Sequence, residues 1–266
     1  MPANSKVTDL AAKALNFINS LGRNSINSFV LYVNSSGPAV LGRLEYRMRS
    51  ARSDLGEPLN GQSGRLDLCR QILAEFPPAA IVETGTFIGN TTKFFADFGV
   101  PVYTAEKKPR YHAFAEERFR SDRDRVHVVL GDSRALLRQL AEDPSFPKDD
   151  VFFYLDAHWY SDLPLAEEIE MIFGSWRRSV IMIDDFAVPG DSYSYDDYGP
   201  GAVLNDEYLD TLGRSDMLRF YPSLPAAQET GAKRGCVVLC GDPDTGLRLS
   251  KLPGLRTGTT PSGGLG

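Results

Sequence analysis

The chain has 266 residues, of which 42% are hydrophobic and 24% charged, with a formal net charge of −6. That length suits one α/β domain with additions, and the composition is ordinary for a soluble globular protein with a substantial core. The acidic balance argues against nucleic acid as the main partner, because phosphate binding needs a basic surface, and no stretch approaches the roughly 20 apolar residues that would carry the chain into a membrane.

Three cysteines, Cys69, Cys236 and Cys240, do not make a disulfide framework. Cys236 and Cys240 stand four apart on an expected strand, so they share a face at roughly 13 Å, too far to bridge. Reduced thiols in the cytoplasm are the plainer expectation. Lys13, Asn16 and Asn19 interrupt any apolar core that a secretory signal would need.

Val7, Leu10, Ala11, Ala14, Phe17, Ile18 and Leu21 recur at helical spacing and give one apolar stripe. Such a helix docks on its own domain or on a second copy as a homo-oligomer, with a lid over the site as the sharper alternative. Arg43, Arg47, Arg49 and Arg52 surround Leu44 and Met48, a pattern that more often marks a solvated helix face than an anion site. Residues 1–60 therefore read as an N-terminal helical extension. A loop rich in Gly, Pro and Asn leads into a helix over Arg65–Phe76, and Gln62 and Ser63 lie where that loop could approach a ligand.

From here apolar runs alternate with helical stretches. Strands are expected near Ala79–Val82, Val100–Thr104, Val126–Leu130, Val151–Leu155 and Ser179–Ile183, and helices at Asn90–Phe98, Pro109–Arg120, Ala135–Leu140 and Leu165–Phe173. Alternation of this kind implies right-handed crossovers and a doubly wound, mostly parallel sheet. V-F-F-Y-L at Val151 is apolar throughout, as a strand buried on both faces should be. Phe94, Phe95 and Phe98 are expected in the core, His112 on a solvated helix face, and His127 packed on an edge strand. The stretch 187–204 turns to Gly, Pro, Asp and Tyr and is too long for a tight connection; such loops tend to be functional. Arg219–Tyr221 and Gly235–Cys240 read as antiparallel strands that finish the sheet, making seven. The main domain spans 61–254, and 255–266 reads as a flexible tail.

The chain is organised around A-A-I-V-E-T-G-T-F-I-G-N-T, from Ala79 to Thr91. Strand, glycine turn and helix in that order form the nucleotide-binding corner of a parallel sheet, and glycine lets the backbone turn sharply and a ligand come close. The spacing is E-x-G-x-x-x-G and lacks the G-x-G-x-x-G that cradles a pyrophosphate. This favours a ligand with an adenosine but no diphosphate and disfavours a dinucleotide enzyme. About twenty residues on, Glu106 ends the second strand where an acid accepts hydrogen bonds from ribose hydroxyls. Gly131-Asp132-Ser133 follows the third strand, with Asp132 either capping the next helix or facing a ligand.

On these three motifs, over roughly Gln62–Cys240, the sequence resembles the class I S-adenosylmethionine-dependent methyltransferases. The resemblance implies a Rossmann-like fold. It also implies cofactor contacts from Glu83, Gly85, Thr86, Gly89, Asn90 and Thr91, with Glu106 as ribose acid and Asp132 and Ser133 beside the adenine.

Asp156 ends the fourth strand, and Asp184 and Asp185 end the fifth. On neighbouring strands they would lie about 5 Å apart, and three converging carboxylates repel unless a cation sits between them. Oxygen ligands favour a hard ion, Mg²⁺ first, with Mn²⁺ or Ca²⁺ as alternatives. D-A-H followed by I-D-D-F also resembles the metal-dependent small-molecule O-methyltransferases of the macrocin and novobiocin-sugar type, with the related cephalosporin-hydroxylase-like proteins. That resemblance implies Asp156, Asp184 and Asp185 as metal ligands. His158 stands where the pattern commonly has a catalytic Asp, and a neutral imidazole is a good proton acceptor near pH 7; the alternative is a histidine that bonds a loop. Trp159, Tyr193 and Tyr195 could wall a sugar or phenol ring, or simply pack their loop. The reaction implied is metal-assisted methylation of a small-molecule hydroxyl, and the rival is a protein that binds the cofactor without turnover.

Overall fold

The computed structural model describes residues 37–51, 55–158 and 162–258. The N-terminal apolar stripe, Arg52, Trp159 and the last eight residues lie outside them. The first helix described, α1 (Pro38–Ala51), is followed by α2 (Ser63–Glu75), β1 (Ala80–Thr84), α3 (Asn90–Ala96), β2 (Val102–Glu106), α4 (Pro109–Arg118) and β3 (Val126–Leu130). The chain continues through α5 (Ser133–Glu142), β4 (Asp149–Leu155), α6 (Leu165–Ser175), β5 (Arg178–Asp184) and α7 (Asp206–Asp210). It closes with β6 (Leu218–Pro222), β7 (Cys236–Cys240), α8 (Pro243–Leu249) and β8 (Leu255–Thr257).

The strands form one eight-stranded sheet in the order β3-β2-β1-β4-β5-β7-β6-β8. β1 to β5 pair in parallel, and β7, β6 and β8 add antiparallel. This is the expected doubly wound α/β sheet with one strand more than the seven anticipated. The eighth corrects the reading of 255–266 as tail from its first residue, because Leu255 is buried and its strand pairs with β6. Three residues between Gly254 and Gly258 carry too little periodicity to announce a strand.

Alternation explains the continuous apolar runs. Ile81, Phe152, Tyr154, Val180, Met182 and Val238 pack on one face of the sheet, and Val82, Phe153, Leu155, Ile181, Ile183 and Leu239 on the other. Helices cover both faces, so each central strand must be apolar at every position. α2 contributes Leu68, Cys69, Ile72 and Leu73 to the first face; α5 and α6 contribute Leu136, Leu137, Leu140, Ile169 and Ile172 to the second. Phe95 is core as expected, whereas Phe98 falls beyond the end of α3 and is 36% exposed. His127 stacks on Tyr103 on the edge strand, with ring centroids 4.5 Å apart. His112 is half-buried, its ring nitrogen 3.4 Å from the Val128 carbonyl.

The arginines of α1 are not a free solvated face. Arg43 pairs with Glu116, Arg47 with Glu117, and Arg110 of α4 returns to Glu45. Gly42 lets the two helices approach, since a Cβ there would stand 1.9 Å from the Arg110 carbonyl oxygen. The cysteines are three separate buried thiols. Among the described residues no helix is long and apolar enough to cross a membrane.

Candidate active site

The strand order reverses between β1 and β4, and beyond their carboxyl ends lies a cavity of about 500 Å³. Open α/β sheets bind ligands at such a switch point. The walls bring together Gly85, Glu106, Asp132 and Ser133 with Asp156 and Asp185, so the ends of five parallel strands share one rim.

At the cofactor corner, Gly85 has φ +88 and Gly89 φ +75, both in the left-handed region that glycine tolerates. A Cβ on Gly85 would stand 2.4 Å from the Asp156 carbonyl oxygen, which ties the glycine turn to the end of β4. Glu106 is buried and accepts from two backbone amides, Phe87 N and Lys108 N, each at 2.8 Å. Burial raises its pKa, and those two bonds oppose the shift. Asp132 caps α5 by accepting from Arg134 N at 3.0 Å, and the Arg134 guanidinium holds its carboxyl down at about 2. Asp132 also lines the cavity, so capping and facing a ligand are compatible here.

Five residues expected at the cofactor shape this corner from behind and do not line the cavity. Glu83 is fully buried, accepts hydroxyl protons from Thr92 and Thr104, and is pushed by burial to about 7. Thr86 shares a proton with Thr104 at 2.6 Å. Asn90 accepts from Arg118, and Thr91 from the Leu59 amide. Gly89 packs its bare Cα against the Phe119 ring, which a Cβ would meet at 2.6 Å. Gln62 and Ser63 turn to the segment around Arg234 and Thr230 and likewise stay out of the cavity.

At the other end, β4 and β5 are neighbours as expected, yet the three aspartates part company. Asp184 points to the α2 side of the sheet, where Arg65 forms a fully buried ion pair with it. Its second oxygen accepts from Tyr154 Oη at 2.5 Å and Asn60 Nδ2 at 3.1 Å. Burial pushes this carboxyl up, but Arg65 and the Tyr154 hydroxyl outweigh it and hold the group below the ordinary range. Asp184 is therefore corrected as a metal ligand: its charge and its lone pairs are already taken. Asp185 has φ 55, and this left-handed residue swings its carboxylate into the cavity beside Asp156. Arg234 binds Asp185 and Asp196 together.

His158 takes the place that Asp184 leaves. Ligand atoms of Asp156, His158 and Asp185 all lie within 4.8 Å of one another, a group that could hold a metal ion. His158 is 4% exposed, its Nε2 has no hydrogen-bond partner among the described residues, and Asp196 Oδ2 is 4.0 Å away. Burial lowers its pKa and keeps the imidazole neutral. Burial raises the carboxyl of Asp156, as does the charge of Asp184, and Asp185 is raised to about 6 for the same two reasons. Here four carboxyl groups (Asp156, Asp184, Asp185, Asp196) meet two guanidinium groups (Arg65, Arg234), a formal excess of two negative charges. An excess of that sign, with an unpartnered buried imidazole beside it, fits a divalent cation.

The aromatic wall is not formed as expected. Tyr193 is core, donating its hydroxyl to the Leu224 carbonyl, and Tyr195 is 44% exposed. Instead Tyr198 joins the site, its hydroxyl bonded to Asp196 and to the His158 carbonyl oxygen. Sequence reading also missed Asn60, Arg65, Asp196 and Arg234. Asp196 lies in the loop whose composition marked it as unusual; the two arginines carried no signal, because their partners are 119 and 49 residues away.

No protein-family model and no curated protein sequence matches the chain. Solved structures do, and they show its fold, which is the one found in structures described as O-methyltransferases. The O-methyltransferase from Bacillus cereus in complex with SAH aligns at TM-score 0.53 and 19% identity, over 75% of this chain and 90% of that one. A putative caffeoyl-CoA O-methyltransferase from Staphylococcus aureus aligns at 0.52 and 13%, over 82% and 99%. A putative O-methyltransferase from Klebsiella pneumoniae aligns at 0.51 and 16%, over 73% and 87%. At such identities the likeness is one of fold.

Proposed function

We propose that this chain is a cytoplasmic S-adenosylmethionine-dependent methyltransferase that acts on a hydroxyl of a small molecule, a sugar or phenol, with help from a divalent ion. One observation carries the reading: Gly85 and Glu106 share a cavity with Asp156 and Asp185, and a His158 ring nitrogen lies within 4.8 Å of those two acids. A cavity of about 500 Å³ lies within the roughly 300–1,000 Å³ usual for cofactor sites.

When bound, the cofactor supplies an activated methyl group. Glu106 would hold its ribose, the Gly85 turn would let its backbone approach, and Asp132 and Ser133 would border the adenine. A divalent ion, Mg²⁺ or Mn²⁺, would be held by Asp156 and Asp185 and would acidify the acceptor hydroxyl. His158 is the proton acceptor in this reading. It is neutral and unpartnered, and Asp196 would stabilise the imidazolium it becomes. Holding the nucleophile in line with the methyl group supplies much of the acceleration. The clustering within 4.8 Å also favours a second reading, in which His158 is itself a ligand of the ion.

Calorimetry with SAH and with Mn²⁺ on wild type, Asp185→Asn and His158→Ala tests these assignments. SAH should bind all three alike; absence of SAH binding to wild type would overturn the cofactor. Asp185→Asn should lose Mn²⁺ affinity by tenfold or more. His158→Ala should keep Mn²⁺ within threefold if the residue is a base, and lose it with Asp185→Asn if it is a ligand. A wild type that binds SAH but transfers no methyl to any hydroxyl acceptor, with or without Mn²⁺, would mark a binding protein without turnover.

A further inference from the structure

A second cavity, of about 430 Å³, shares no lining residue with the first. Its walls come from α2 between Gly64 and Gln71, the turn from Pro222 to Pro225, the segment at Gln228 and Glu229, and Pro253. Glu229 is set into it. This carboxylate is 5% exposed, and one of its oxygens, Oε1, accepts from Gly64 N at 2.9 Å and Thr230 N at 2.8 Å. The first of these bonds has a structural purpose, because it satisfies an orphan amide in the first turn of a helix whose N-cap residue, Gln62, makes no side-chain cap.

The other oxygen is not explained by capping. Oε2 has no hydrogen-bond partner among the described residues, and Glu229 has no ion-pair partner among them. Arg65 lines the same cavity, but its guanidinium is spent on Asp184 and on the Arg234 carbonyl. The proline walls cannot supply backbone donors either. Gly64 keeps the space beside Oε2 clear, since a Cβ there would stand 2.6 Å from it and 2.3 Å from Leu224 Cδ2. Leu68, Leu224 and the prolines form the apolar part of the wall, and Asp67, Gln71 and Gln228 its polar part. A buried carboxylate with one open oxygen, beside Leu68, Leu224 and the prolines, selects a cation that can donate a hydrogen bond and carries a compact apolar body.

We propose that this cavity is a second ligand site, for a primary ammonium or amidinium group on a small apolar body, with Glu229 as its anchor. The site is independent of the methyl-transfer reading. Arg65 joins the two places, because it lines this cavity and holds Asp184 behind the other.

Benzylammonium is a suitable probe, with benzyl alcohol as its neutral match, titrated into ¹⁵N-labelled full-length protein. The expected result is saturable binding of benzylammonium with amide shifts at 64–68 and 222–230, and at least tenfold weaker binding of benzyl alcohol. Glu229→Gln, whose amide oxygen can still accept from Gly64, should weaken benzylammonium at least tenfold and leave SAH affinity within twofold. Equal binding of the two probes, or of benzylammonium to wild type and E229Q, would overturn the assignment. So would shifts confined to Gly85, Asp156 and Asp185, which would place the ammonium at the other acids. The comparison of probes on wild type decides the matter even where E229Q fails to fold.

Discussion

The two ends of the cleft handle carboxylates in opposite ways. At the glycine corner, Glu83 and Glu106 accept from hydroxyl and backbone N–H donors, and burial raises both. Beyond β4 and β5, Asp184 and Asp185 meet guanidinium groups brought from α2 and from the strand-leading segment at Arg234. The first kind of acid is settled by neighbours within about twenty positions of the chain. The second depends on partners fixed only when the whole sheet has closed. Glu106 can thus be disturbed chiefly in ligand affinity, whereas the acids beyond β4 and β5 are tied to the stability of the fold.

The largest expected effect follows from that difference. Arg65→Met leaves Asp184 buried with no cation, which costs about 3–5 kcal/mol. Urea unfolding should show it as a fall in midpoint, and a further Asp184→Leu change should recover part of the loss. An R65M protein as stable as wild type would refute the ion pair as a structural element. The neutral acids give the next effect. Glu83 and Glu168 are both fully buried and raised to about 7 from 4.5, in each case by burial first. Their folded pKa lies above the unfolded one, so the folded form keeps a proton that the unfolded chain releases. Stability therefore falls as pH rises from about 4.5 to 7, by an order of 3 kcal/mol for each group. Melting curves at pH 5 and 7.5 should show this slope in wild type and a shallower one in Glu83→Gln and Glu168→Gln. An identical slope in all three proteins would remove these acids as its source.

The same contrast decides what the sequence could disclose. The glycine turn, Glu106 and Asp132 are local signals: their spacing encodes a strand, a turn and a helix start, and the structure sets each at the cavity. Asp156 and Asp185 were legible as acids at strand ends, because the parallel sheet follows from buried runs such as V-F-F-Y-L. Asp184 was misread because adjacent residues at a strand end face opposite sides of the sheet, and period two does not say which side holds an arginine. Glu83, Thr86 and Thr91 share a motif with Gly85 but serve its backbone from beneath. β8 was invisible since a three-residue edge strand draws its register from β6 alone.

A smaller effect tests the cofactor corner by itself. Glu106→Ala should weaken SAH by about 1–3 kcal/mol, the scale of a lost charged hydrogen bond, or roughly 5- to 150-fold. The backbone amides of Phe87 and Lys108 can turn to water at this partly exposed end, so the urea midpoint should move far less than in R65M. Unchanged SAH affinity would remove the ribose role from Glu106.

The smallest expected effect probes the base at the acid end. Asp196 lies 4.0 Å from His158 Nε2 and favours the protonated ring, while burial opposes it. Asp196→Asn removes that support, so the imidazolium becomes harder to form and the imidazole a weaker base. Methyl transfer should fall about tenfold on the plateau, by the Brønsted dependence of general-base catalysis. The acid limb of the pH–rate profile should at the same time move to lower pH, because a ring that protonates less readily stays competent in more acid solution. A variant that merely disturbed the loop would lower the rate without moving the limb. Tyr198→Phe, which frees Asp196 from one bond but leaves its charge, should shift the limb far less. A limb that stays in place in Asp196→Asn, with SAH binding intact, would take the proposed proton-acceptor role away from His158.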